Sequence, residues 1–189
     1  MVQVQKINPV VRAILVVGAA AGLVVGVTFA ALNSQATLTG NTISATAGLL
    51  LSTDGGETFG GSVQGLSFSG VVLGDSTGVT KTFKIKNAST TPMSLGMQIP
   101  TVPTFNGGTV TLTKTHATLT CTGTALAMGP ATISSLVGTD TPLTGGNLAG
   151  GATADCSLNI TFDADAVTGG TSVTSNNFDI RFTGTGVSS

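Results

Sequence analysis

The chain contains no tryptophan and no tyrosine, and only 8% of its 189 residues are charged. Ordinary soluble domains carry about a quarter charged residues. The scarcity of charge removes the basic footprint that nucleic-acid binding requires. The missing Trp and Tyr remove the large aromatic platforms that carbohydrate sites usually expose. Histidine occurs once, as His116. That excludes H-E-x-x-H zinc chemistry. A Ser-His-Asp triad would have to use His116, which sits in a strand-like Thr run with no G-x-S-x-G nearby. His116 therefore reads as an ordinary strand residue. Two cysteines and one histidine do not supply the four N or S ligands of a structural zinc site. Asp163 and Asp165, in FDADA, have the spacing of a calcium or paired-carboxylate site, but they read better as a strand ending at a solvated loop. The residues predict no enzyme, no metal and no cofactor.

What the chain does have is an uncharged apolar run near its start. Lys6 and Arg12 are the only charged residues before Asp54, and 13–32 reads AILVVGAAAGLVVGVTFAAL. A basic lead, an apolar core and small residues at its end form a secretory signal. Thr28 and Ala30 flank Phe29 in the small-x-small pattern, which predicts cleavage between Ala30 and Ala31. The alternative is a retained membrane helix. The run just reaches the ~20 residues that a span needs, and Gly18, Gly22 and Gly26 keep the four-residue spacing of packed membrane helices. No basic stop-transfer cluster follows Leu32, which favours cleavage. The sequence thus predicts a signal over 1–30 and one secreted domain over 31–189, in contact with a membrane only through the segment ahead of the cut.

The remaining residues carry Lys81, Lys84, Lys86, Lys114 and Arg181 against eight acids. KTFKIK, at 81–86, reads as the solvent face of a strand rather than a binding patch. Thr and Ser make up about a quarter of the chain. With 41% hydrophobic residues it is not a disordered composition. Thr, Val and Ile favour strands and Gly supplies turns. In an oxidising compartment Cys121 and Cys156 predict one disulfide. It would close a loop of about 35 residues, worth on the order of 3–4 kcal/mol. Two buried free thiols are the alternative.

Alternation of period two recurs along 31–189. Leu32, Ala36 and Leu38 share one face, and Ile43, Ala45, Ala47, Leu49 and Leu51 alternate next. Val79, Phe83 and Ile85 oppose Thr82, Lys84 and Lys86. After a turn ending near Pro92, Met93, Leu95, Met97 and Ile99 alternate again, so 79–99 reads as two half-buried strands, paired or in facing sheets. The Thr-rich 109–121 reads as a long strand or a bent pair. In 123–152, ATISSLV has the look of one helical turn, but Gly129-Pro130 and the Gly pairs argue for loop. Cys156, Leu158, Ile160 and Phe162 share a face, as do Phe178, Ile180 and Phe182. Roughly eight strands with turn signals predict an all-β fold, an antiparallel sandwich or jelly roll behind the apolar signal helix. Asn87-Ala88-Ser89 and Asn159-Ile160-Thr161 match the N-glycosylation sequon.

Several of these elements occur in a familiar order. GVTFAALNSQATLTGNTISATAGLLLS resembles the start of the camelysin/TasA family of secreted biofilm-fibre and spore-coat-associated proteins. Thr28-Phe29-Ala30 and Leu49-Leu50-Leu51 fall where that family has its cleavage step and its leucine-rich strand. Gly74-Asp75, TKTFKIKNAST, PMSLGMQI and the closing NFDIRFTGTG follow in the family's order, while 100–155 matches only loosely. The resemblance implies a jelly-roll sandwich, export by a dedicated signal peptidase, and self-association into extracellular fibres. Some members are described as metalloproteases, an activity this chain has no zinc ligands to carry. The two cysteines and the low charge also depart from the family. The reading that follows is a structural fibre subunit assembling head-to-tail, in which 31–39 of one copy, with Leu32, Ala36 and Leu38 inward, adds a strand to the next. The alternative is a cell-surface binding or adhesion module held by an uncleaved N-terminal helix.

Overall fold

A computed structural model describes residues 35–38, 42–170, 172–175 and 177–187. The expected signal, its cleavage site at Ala30 and Ala31, and Leu32 lie outside the described residues. Among the described residues no helix is long and apolar enough to cross a membrane.

The strands in chain order are β1 (Gln35–Leu38), β2 (Thr42–Ala45), β3 (Leu49–Ser52), β4 (Ser62–Gln64), β5 (Phe68–Val72), β6 (Val79–Asn87), β7 (Met93–Gln98), β8 (Phe105–Asn106) and β9 (Thr109–Val110). They continue with β10 (Thr115–Thr122), β11 (Ala127–Thr132), β12 (Thr141–Pro142), β13 (Thr153–Phe162), β14 (Val167–Thr168), β15 (Ser172–Ser175) and β16 (Ile180–Gly186). One five-stranded sheet runs β11-β10-β13-β6-β3 and a second runs β12-β7-β16-β2-β4. A four-stranded sheet, β5-β1-β15-β8, and the ribbon β14-β9 complete the fold. The chain is all-β and mainly antiparallel. The sequence pattern did not convey two things: the four-stranded sheet as a separate unit, and the two parallel pairings, β1 with β15 and β2 with β16.

Side-chain alternation explains the long strands. In β13, Ala154, Cys156, Leu158, Ile160 and Phe162 are buried and every residue between them is not. β10 alternates the same way. The two five-stranded sheets meet through these inward rows. Phe83 of β6 lies 5.4 Å from Phe182 of β16, ring centre to ring centre. Each such fully buried apolar side chain contributes about 2–3 kcal/mol. A second aromatic contact, Phe68 edge-on to Phe178 at 6.2 Å, joins the four-stranded sheet to the chain leading into β16.

The structure revises two expectations and decides between alternatives at two others. The alternation through 43–51 is not one strand, because Ala47 is exposed and Gly48 takes a φ of 91°. Only glycine adopts that conformation cheaply, and it turns the chain from one five-stranded sheet into the other. The Thr-rich 109–122 is a bent pair, β9 and β10, with the short 3-10 turn Leu112–Lys114 between them. The stretch expected to be loop contains β11 and a one-turn helix, α1 (Ile133–Leu136). Thr132 caps it by accepting the Ser135 N–H at 3.2 Å, and Ile133 and Leu136 are buried beneath it. β6 and β7 lie in different sheets, joined by the turn at 88–92.

Candidate assembly interface

β1 is the element from which an interface would be built. It is four residues long and sits between two strands of distant sequence. On one side it runs parallel to β15, with Ala36 beside Val173 and Leu38 beside Ser175. On the other it runs antiparallel to β5, with Ala36 beside Val71 and Leu38 beside Phe68, and the register shifts between those two pairs. Ala36 and Leu38 are buried, and Gln35 is exposed. The Ser67 hydroxyl donates to the Leu38 carbonyl at 3.3 Å. In this chain β1 pairs on both edges through backbone hydrogen bonds and buries its two apolar side chains. Searches against family models, curated proteins and solved structures find no match.

The other residues singled out from sequence fall in separate places. Cys121 and Cys156 face each other across β10 and β13 and are joined in a disulfide, with Cα atoms 4.0 Å apart. Both are buried.

Asn87, the acceptor residue of the first sequon, lies in the core of the folded chain. Its side chain is fully buried, and Nδ2 donates both protons, to the Thr91 carbonyl at 2.8 Å and the Leu148 carbonyl at 3.0 Å. Its Oδ1 accepts from the N–H and hydroxyl of Ser89 at 2.9 and 2.7 Å. Asn159 is half-buried on the outer face of β13, and it also spends both amide protons, on the Thr77 carbonyl and the Thr80 hydroxyl.

Asp163 and Asp165 do not converge on one site. Asp163 lies 3.4 Å from His116 Nε2, while Asp165 pairs with Lys114, which holds its carboxyl below the ordinary value. Among the described residues no cluster of His, Cys, Asp and Glu has the makings of a metal site.

Sequence reasoning passed over Asp54. The Ser52 and Thr58 hydroxyls and the Thr58 N–H all donate to its carboxylate and hold it well below the usual range. A Ser-x-Asp run followed by Gly-Gly is the signal that such a carboxylate-centred turn offers.

Proposed function

We propose that this chain is a secreted structural protein, a subunit of extracellular fibres of the biofilm-matrix type, with a jelly-roll-like sandwich and no catalytic role. Assembly is head-to-tail: segment 31–39 leaves its own groove and enters the equivalent groove of the next copy. The observation that supports this reading is the seat of β1. A four-residue strand between β5 and β15 is held by backbone bonds on both edges and buries Ala36 and Leu38, and an identical segment from another copy would make the same contacts. Exchange of an identical element costs little free energy, and a head-to-tail contact that does not close on itself yields a filament. Cleavage after Ala30 leaves only 31–34 ahead of Gln35, so the segment is close to a free end.

Electron microscopy of 31–189 beside 40–189 tests the proposal. Filaments from the first and only monomers from the second support strand donation. Filaments from both, or from neither under any assembly condition, overturn it.

A further inference from the structure

Exchange of β1 fixes where one subunit must meet the next. β1 runs parallel to β15 and antiparallel to β5, and β8 runs antiparallel to β15. Leu38 therefore sits at the same end of the four-stranded sheet as Ser175, Phe68 and Phe105. At that end 39–41 leave β1, 66–67 enter β5, 100–104 enter β8 and 177–179 lead on to β16.

β2 stays with its own subunit when β1 leaves. Its Ile43 is fully buried, and the Asp179 carboxylate accepts the Thr42 N–H at 2.9 Å. Three residues separate Leu38 from Thr42. Even fully extended, that chain spans no more than about 14 Å. A copy whose β1 sits in a neighbour's groove must therefore bring its own Thr42 within that distance of the neighbour's Leu38 end. The seam between the two bodies forms there.

At this end Val102 is 57% exposed, and it is the one large hydrophobic residue exposed among the described residues. Its loop is anchored on both sides. Ile99 and Pro103 are buried, and Pro100 and Pro103 each fix a backbone φ. Asn177 braces the turn: Oδ1 accepts the Thr104 N–H at 2.8 Å and the Thr104 hydroxyl at 2.9 Å, and Nδ2 donates to the Val102 carbonyl at 3.4 Å. An apolar side chain on a preordered loop loses little conformational entropy when it is covered. A single exposed valine elsewhere calls for no partner; here it stands where the hinge delivers one.

Charge points to the same occupant. The residues from 31 onward carry more acidic than basic side chains, so two copies repel each other over most of their surface. Of the four segments that meet at this end, only 177–179 holds a charged residue, Asp179. An almost uncharged seam brings like copies together with little repulsion.

We propose that Val102 is a contact between successive subunits of the fibre. In each junction the Val102 loop of the copy that accepts β1 packs on the body of the copy that donates it, beside the donor's Thr42. The inference rests on the strand-donation reading and adds to it a second surface, outside the groove.

Sedimentation of assembled 31–189 gives the critical concentration for filaments, and Val102→Asp tests the contact. The expected result is a critical concentration raised about tenfold or more, the factor that ~1.4 kcal/mol per junction produces. The substitution should not move the melting temperature, because the side chain is exposed in the monomer. It should also leave hydrogen exchange at 35–38 in the monomer unchanged, because the seat of β1 is intact. Thr82→Asp, exposed on β6, adds the same charge away from the junction and should assemble like the wild type. An unchanged critical concentration for Val102→Asp overturns the proposal and leaves strand donation standing. So does an equal rise for Thr82→Asp, which would assign the effect to net charge, or faster exchange at 35–38 in Val102→Asp, which would assign it to the groove. Filaments from 40–189, or none from wild-type 31–189, overturn both readings.

Discussion

The side-chain amide of Asn87 donates to the backbone carbonyl of Leu148 at 3.0 Å, bridging 61 residues of sequence. The same nitrogen reaches the Thr91 carbonyl. One side chain thus fastens the turn between the two five-stranded sheets to a loop that also pairs with β7, through the Met93 and Leu148 backbones.

Removing that side chain takes one of two donors from the Thr91 and Leu148 carbonyls, which keep the Ser89 hydroxyl and the Met93 N–H, and takes the acceptor from the Ser89 N–H. Asn87→Ala should destabilise the domain by about 1–3 kcal/mol, read as a lower urea midpoint with an unchanged slope. Peptide mass spectrometry of protein expressed in a glycosylating host should find Asn87 unmodified, because the folded chain buries the nitrogen.

Reduction should be costly for a similar non-local reason. The Cys121–Cys156 bond spans 35 residues, and opening it should lower stability by about 3–4 kcal/mol through the entropy of the unfolded chain. Urea unfolding with and without reductant checks this. Cys121→Ser should melt like the reduced wild type, and equal midpoints for the reduced and oxidised forms would contradict it.

Gly96 in β7 faces Asp140, whose carboxylate accepts the Thr183 hydroxyl at 2.7 Å. A methyl group on Gly96 would overlap both partners. Gly96→Ala should therefore cost about 1–3 kcal/mol by overpacking. Adding Asp140→Ala should recover part of that loss, and strict additivity in the double mutant would argue against direct contact.

The Asp54 carboxyl is held below its ordinary value of 3.8, first by the Ser52 hydroxyl and then by Thr58. A depressed folded value means the ionised group stabilises the fold above pH 3.8 and that this stabilisation fades as pH falls toward the folded value. The melting-temperature gap between wild type and Asp54→Asn should be constant at neutral pH and shrink progressively below pH 3.8. A gap that is flat into strong acid would mean the turn does not depend on the charge.

The groove itself can be probed without filaments. A labelled peptide of sequence 31–39 should bind 40–189, whose seat between β5 and β15 is vacated, and should bind 31–189 far more weakly. The same peptide with Leu38→Asp should not bind, because an unpaired carboxylate in that pocket loses its hydration without compensation. Fluorescence anisotropy distinguishes these outcomes.

Much of the fold is legible locally. β13 and β16 announce themselves through alternation, because a half-buried strand forces period two on its side chains. The disulfide partners needed no geometry, since only two cysteines exist. Other features were not legible. Asn87 sits in an ordinary Asn-Ala-Ser sequon, and nothing local indicates that the chain at 148 closes over it. The helical turn at 133–136 was visible in ATISSLV, but at four residues it could not outweigh the Gly-Pro and Gly-pair signals around it. The rows that set Thr120 beside Ser157 and Ser157 beside Thr82 require β10, β13 and β6 to be neighbours in a fixed register, and strand order is invisible in any one segment.

What the sequence determined by itself is the all-β class and the inward face of the long strands, because composition and the pleat act residue by residue. Tertiary structure alone decided which strands pair, that β1 and β2 run parallel to β15 and β16, and where polar side chains end up buried or gathered. Those outcomes depend on hydrogen bonds between segments from about twenty to well over a hundred residues apart, and no local pattern encodes the partner at that distance.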